Sequence, residues 1–186
     1  MKTILPLFCL LCFGFLWSCE PIQSYKDVLE VSFNCLSIEA VATPFDEPER
    51  KAILVFSFID GNGNIGERSD DCTKSICVSR VHYAWLKLKN TTDDDDEVYS
   101  FPEGEYVLHH SASISFPYNS AMYKDGANNT TLKGSVKMPL SMLFNQQGLD
   151  KMRIKFFIVD RKGKESNIDF TPSFSILNPP NVTCSQ

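Results

Sequence analysis

Histidine is scarce in this chain: its 186 residues include only three, His82, His109 and His110. Two of them are adjacent, and neighbouring side chains on a strand point to opposite faces, so that pair is badly placed to chelate one metal. Neither a Gly-x-Ser-x-Gly elbow nor a His-Glu-x-x-His helix is present. A catalytic set would have to be assembled from scattered serines and acids, so catalysis is not expected and a secreted hydrolase is the second choice. Basic clusters are missing as well. Lys and Arg total 18 against 23 Asp and Glu, and they are scattered along the chain with no run longer than the pairs Arg50-Lys51 and Arg161-Lys162. That pattern excludes the electrostatic footprint of a nucleic-acid binder and disfavours anionic membrane surfaces. Helical periodicity is rare, and past the N-terminus no apolar run approaches the roughly 20 residues a spanning helix needs.

At the N-terminus, Met1-Lys2-Thr3 forms a short cationic head, and Ile4 to Trp17 is an almost unbroken apolar run. Broken by Pro6 and followed at once by Glu20-Pro21, the run is too short to span a bilayer and reads as a secretion signal. It ends in Leu16-Trp17-Ser18-Cys19, which resembles a bacterial lipobox, with Trp17 standing where a small residue is usual. The resemblance implies removal of residues 1–18 and a diacylglycerol on Cys19. It also implies membrane attachment through that lipid, in the cell envelope and at the outer membrane. Residues 19–27 then serve as a polar tether and 28–186 as the domain, a length that suits one well-buried core. Net charge is −5, and it becomes −6 once the signal leaves with Lys2 as its single charge. If the lipobox is spurious, the alternative is a eukaryotic-type secreted glycoprotein carrying sequons at Asn90, Asn128, Asn129 and Asn181.

Cys9 and Cys12 depart with the signal, and lipid takes Cys19. Four cysteines are left, Cys35, Cys72, Cys77 and Cys184, and an even number in an exported chain favours disulfides. Four cysteines allow three pairings, and the spacing does not choose among them. One arrangement staples the polar loop through Cys72 and Cys77 and leaves Cys35 to tie down Cys184. Zinc fits poorly, because the Cys72/Cys77 spacing is too wide and no histidine lies near.

Elsewhere the hydrophobic period is close to two, as in half-buried antiparallel strands. Val31, Phe33 and Cys35 alternate with polar residues in a first strand ending near Val41. Ala52 to Ile59 is the most apolar stretch and is expected at the centre of the fold. Val78 to Leu88 has apolar residues on both faces. Further strands are expected at Val98 to Phe101, Tyr106 to Phe116, Leu132 to Met138, Met152 to Asp160 and Phe170 to Leu177. The acidic run Asn90 to Glu97 reads as a solvated hairpin tip. Pro139 to Leu149 is the single expected helix, with Leu140, Leu143 and Phe144 at helical spacing and Gly148 to stop it. Seven to nine short strands with one short helix describe a single antiparallel, immunoglobulin-like β-sandwich.

Two segments carry a resemblance, Phe56-Ser57-Phe58-Ile59-Asp60-Gly61-Asn62-Gly63-Asn64-Ile65-Gly66 and Phe156-Phe157-Ile158-Val159-Asp160-Arg161-Lys162-Gly163. They are similar to the Asp-Gly-rich strand ends of a group of small Bacteroidota lipoproteins. The resemblance implies a sandwich-like fold and carries no activity. The two turns also resemble each other. Asp60, Asn62 and Asn64 sit at every second position, as oxygen ligands do in calcium loops, with Glu67 or Asp160 available to complete a site. Calcium is therefore the one candidate cofactor. The competing reading is that Asp and Asn here hydrogen-bond their own turns. Core packing is expected for Phe33, Phe56, Phe58, Trp85, Phe156 and Ile158, whereas Tyr99, Tyr118 and Tyr123 lie near loops. The expected function is a lipid-anchored envelope module that binds a protein or glycan through its loops, or a structural accessory of the envelope.

Overall fold

A computed structural model describes residues 28–41, 49–63, 65, 78–91, 97–116, 131–142, 151–175 and 184. Eight strands follow in order: β1 (Leu29–Val41), β2 (Glu49–Asp60), β3 (Arg80–Leu88), β4 (Val98–Phe101), β5 (Gly104–Ser115), β6 (Leu132–Met142), β7 (Met152–Val159) and β8 (Asp169–Phe170). All pairings are antiparallel. They form a three-stranded sheet, β1-β2-β6, and a five-stranded sheet, β4-β5-β3-β7-β8. β1, β2 and β6 stand where strands A, B and E stand in an immunoglobulin-like sandwich. β5-β3-β7-β8 corresponds to the opposing sheet, and β4 is an added edge strand. The fold class expected from the hydrophobic period is the one observed.

Alternation decides which residues meet between the sheets. On β2, Leu54, Phe56 and Phe58 are almost fully buried, and on β7 so are Met152, Ile154, Phe156 and Ile158. Phe56 meets Phe156 with ring centroids 5.2 Å apart, and Phe58 meets Phe116 edge-on at the same separation. Each such ring removes roughly 150–250 Å² from water. β2 is the middle strand of its sheet, which explains why its sequence is the most apolar. Of the residues expected in the core, only Phe33 is just partly buried.

A β-bulge between Phe33 and Cys35 changes the parity of β1. Leu29 and Val31 are buried before it and Leu36 after it, so Cys35 leaves the inward series that simple alternation assigns to it. It is bonded to Cys184, with an S–S distance of 2.03 Å and Cα atoms 5.6 Å apart. This pair is one half of the stapled arrangement; Cys72 and Cys77 lie outside the described residues.

Two expected elements need correction. Pro139 to Met142, the first residues of the expected helix, continue β6, with Pro139 opposite Ile53 and Leu140 opposite Ala52. The helical spacing of Leu140 was ambiguous because Val136, Met138 and Leu140 are all buried at period two. Pro139 is tolerated because, among the described residues, β6 is an edge strand with β2 as its one neighbour, where a missing N–H is least costly. Leu143 to Leu149 lie outside the described residues. The last strand, expected over Phe170 to Leu177, is regular only at Asp169–Phe170. Pro172 interrupts it, after which a single bridge joins Phe174 to Met152.

The free edge of β1 is closed by side chains. Asn167 accepts from Val31 N (2.8 Å) through Oδ1 and donates to Val31 O (3.0 Å) through Nδ2, as a neighbouring strand would. Asp169 Oδ2 accepts from Phe33 N at 2.7 Å. These bonds tie the small sheet to the segment that leaves β7 and occupy groups that would otherwise template edge-to-edge pairing. The Cys35–Cys184 bridge spans a separation of 149 residues, a loop whose closure is worth up to about 5 kcal/mol in the unfolded chain. Replacing both cysteines by alanine is expected to lower unfolding free energy by about 2–5 kcal/mol, measured by urea denaturation, with a larger m-value as the freed unfolded chain expands.

Candidate functional site

The two Asp-Gly turns occupy equivalent places at the ends of β2 and β7. Asp60 continues the inward series of Phe56 and Phe58, and Asp160 that of Phe156 and Ile158. Both carboxylates are consequently buried, at 1% and 2% exposure, and buried charge must be satisfied. Asp60 Oδ1 accepts from Asn62 N (3.2 Å), and its Oδ2 from Ile65 N (2.7 Å). Asp160 Oδ1 accepts from Lys162 N (2.7 Å) and Lys164 N (2.9 Å). Three residues on, Gly63 and Gly163 have φ of 67° and 81°, a region in which glycine is favoured. Arg161 Nη2 donates to Gly63 O at 3.4 Å, linking one turn to the other.

The carboxylates are thus engaged as turn anchors. Of the candidate calcium oxygens, Asn62 Oδ1 is buried without a hydrogen-bond partner, while Asn64 and Glu67 lie outside the described residues. No group of three His, Cys, Asp or Glu side chains suited to a metal occurs among the described residues. Asp93 to Asp96 and the loop tyrosines Tyr118 and Tyr123 are also outside them.

The outward face of the five-stranded sheet is divided in two. One half is sealed. Tyr106 and Leu86 are fully buried there, with Leu88, Tyr99, Phe101 and Phe170 packed around them. Arg153 closes it from above, its guanidinium 4.0 Å from the Phe101 ring centroid and 5.6 Å from that of Tyr106. The same guanidinium donates to Glu103 and, at 2.7 Å, to Thr171 O. Tyr106 Oη shares a 2.8 Å hydrogen bond with Ser173 Oγ.

The other half is open. β4 is short and its pairing with β5 stops at Val98–Val107, so the stretch of β5 beyond it has β3 as its one neighbour strand among the described residues. Ala84, Ser111 and Ser113 are small and make a low floor. The result is an open cleft of about 430 Å³, lined among others by His82, Glu97, Tyr99, Leu108, Lys155 and Phe157. His82 lies opposite Phe157 across β3 and β7, and the rings stack at 5.0 Å and 11°. On the other wall Lys155 Nζ donates to Tyr99 Oη at 2.5 Å and lies 4.7 Å from that ring's centroid. Tyr99 Oη in turn donates to Glu97, whose carboxylate is 3.5 Å from Lys155 Nζ.

This triplet tunes its own ionisation. Donation from Tyr99 holds Glu97 below the usual carboxylate range, with the charge of Lys155 adding to it and slight burial opposing. Burial raises Tyr99, and the bond to Glu97 raises it further. Burial pulls Lys155 down, but the bond to Tyr99 and the fields of Tyr99 and Glu97 outweigh it, so the ammonium is favoured. His109 lies on β5 away from the cleft lining, and burial lowers its pKa, with Lys87 and His110 adding to the effect.

The sequence left Tyr99 as a loop-side aromatic open to a binding role, and His82 as one of three histidines that a pocket could collect. Lys155 and Phe157 were legible as the outward half of an alternating strand. That they meet Tyr99 and His82 depends on strand order, which the sequence does not carry.

No protein-family model and no curated protein matches the chain. Among solved structures, the Northeast Structural Genomics Consortium target SoR45 aligns with 87% of this chain and 95% of its own at 8% identity. Its TM-score of 0.27 is too low to support an argument.

Asp60→Ala is expected to cost about 2–3 kcal/mol, because two turn N–H groups lose a charged acceptor. The same loss in chelator and in millimolar calcium marks a turn anchor. A wild-type melting temperature that rises with calcium, with no rise in the variant, assigns the residue to the ion instead. A second expectation concerns the triplet. A depressed carboxylate contributes stability above its unfolded pKa that is lost as pH falls through the folded one, whereas a raised phenol or ammonium contributes below its unfolded pKa and loses it as pH rises. The triplet therefore acts between the carboxylate range, about 4, and the phenol range, about 10. Lys155→Met is expected to cost at most about 1 kcal/mol at neutral pH, as exposed pairs do. Urea denaturation at acidic pH should find that difference smaller once Glu97 is protonated, the contact of Lys155 with Tyr99 remaining.

Proposed function

We propose that this chain is a lipid-anchored, non-catalytic accessory module of the bacterial cell envelope, held at the outer membrane through Cys19, that binds a protein or glycan. The observation that carries the binding half is the open cleft on the outward face of the five-stranded sheet. It offers ring faces, hydroxyls and one charge pair at the surface of a rigid scaffold, which suits recognition. A hydrolytic site needs convergent acids and a base with a proton to move. The cleft holds one histidine, already stacked on Phe157, and one carboxylate, already bonded to Tyr99 and Lys155.

The anchoring half rests on the lipobox-like Leu16-Trp17-Ser18-Cys19 after a signal-like run. A disulfide between Cys35 and Cys184 is in keeping with an exported chain, since such bonds persist in oxidising compartments. The resemblance of the two Asp-Gly strand ends to those of small Bacteroidota lipoproteins points the same way.

Expression of the full precursor in a lipoprotein-processing bacterium fed an alkyne fatty acid tests the anchor. The wild-type protein is expected to take up label and to fractionate with the outer membrane, whereas Cys19→Ser takes up none. Label retained by Cys19→Ser, or absent from both, overturns the lipid anchor.

A further inference from the structure

The cleft has a charge balance that narrows its ligand, and this inference rests on the binding role proposed above. Lys155 and Glu97 are 3.5 Å apart with the Tyr99 hydroxyl between them, so the one cation and the one carboxylate in the lining neutralise each other in place. An entering anion would have to take Lys155 from Glu97. An entering cation would have to take Glu97 from Lys155, and would find the Tyr99 ring already covered by the Lys155 ammonium. Displacing either partner breaks this exposed pair, and because the two charges cancel, the lining offers neither sign a net attraction to offset that loss. A ligand with no formal charge faces neither cost.

The rest of the lining suits a ligand that is polar on its edges and apolar on its faces. The stacked His82 and Phe157 rings give a short apolar strip, and the 40%-exposed Leu108, opposite Leu86 further along the sheet, adds a separate apolar patch. Ser111 and Ser113 stand on the floor beside that strip, Ser113 Oγ accepting from Arg80 Nη1 at 3.5 Å from outside the lining, and the polar atoms of His82, Tyr99 and Glu97 rim it. Donors and acceptors therefore alternate within a few ångströms of ring faces. A pyranose ring presents the complementary pattern, with hydroxyls around its rim and C–H groups on its faces, and rings of this kind stack on aromatic side chains. An acyl chain would leave the hydroxyls and the charge pair without partners and so desolvated at a cost. The volume of about 430 Å³ falls within the roughly 300–1,000 Å³ range of small-ligand sites, and its open sides let a longer chain pass through.

We infer that the cleft between Tyr99–Lys155 and His82–Phe157 is a binding site for uncharged saccharide, taking a short stretch of a neutral polysaccharide. Glu97 and Lys155 act as a paired acceptor and donor for ring hydroxyls, Ser111 and Ser113 as floor contacts, and Phe157 with His82 as the stacking platform.

The test uses the full chain purified in detergent and immobilised for biolayer interferometry against xylan, mixed-linkage β-glucan, galactomannan and amylopectin, with alginate as the anionic arm. At least one neutral polymer is expected to bind, and alginate is not. Ser111→Trp fills the cleft from an exposed position and is expected to weaken binding at least tenfold with an unchanged melting temperature. Phe157→Ala is expected to do the same by removing the platform, and Leu108→Ser provides a milder third variant should either of these melt early. Binding to none of the polymers, binding to alginate alone, or neutral binding that survives all three substitutions overturns the inference. Each of these results leaves the lipid anchor standing, because that reading fails separately, by fatty-acid labelling of Cys19.

Discussion

The contact between Phe56 on β2, the middle strand of the small sheet, and Phe156 on β7 of the facing one is the constraint from which the other features follow. Once those two rings are inside, a period of two puts Phe58 and Ile158 inside as well, then Asp60 and Asp160 at the strand ends. The burial of the two carboxylates is thus a consequence of register rather than a separate feature. It forces each turn to fold back and offer N–H groups to its own aspartate. The same register sends Lys155 and Phe157 outward, where they become walls of the cleft. A slip of one residue in β7 would invert the whole arrangement, placing a lysine in the core and an isoleucine in solvent.

A sandwich of this size still has to manage its open edges and its outer face. β1 is closed by Asn167 and Asp169, which imitate a neighbouring strand. On the five-stranded sheet, one half of the outward face is covered by Arg153 lying over Phe101 and Tyr106. The other half, where β4 is too short to reach, is left with small residues beneath ring-bearing walls. One face of a single sheet thus holds a sealed half and an open half, and it is to the open half that the binding role is proposed.

How much of this was legible beforehand varied with the physics involved. Strand positions were readable because alternation is a local property. β2 stood out because a strand flanked on both sides and packed on its face tolerates few polar residues. Pro139 to Met142 misled because Leu140 fits both a helical and a strand period, and edge position, which excuses the proline, is a tertiary fact. The calcium-like spacing at Asp60 and the turn-anchoring role use the same residue types, so only hydrogen-bond geometry distinguishes them. Asn167 and Asp169 were invisible as edge partners, lying 136 residues from the groups they bond.

Taken alone, the sequence determined a signal-like N-terminus ending at a lipobox-like cysteine, an all-β period, an exported pattern of cysteines and the lack of a catalytic motif. Each of these is written in neighbouring residues or in composition. Tertiary structure alone decided that Cys35 pairs with Cys184, that Asp60 and Asp160 anchor equivalent turns, and that His82, Tyr99, Lys155 and Phe157 share a cleft. Those facts depend on which strands lie side by side. Strand order is set by the burial of one sheet against another, summed over the whole chain, and no local stretch of residues records it.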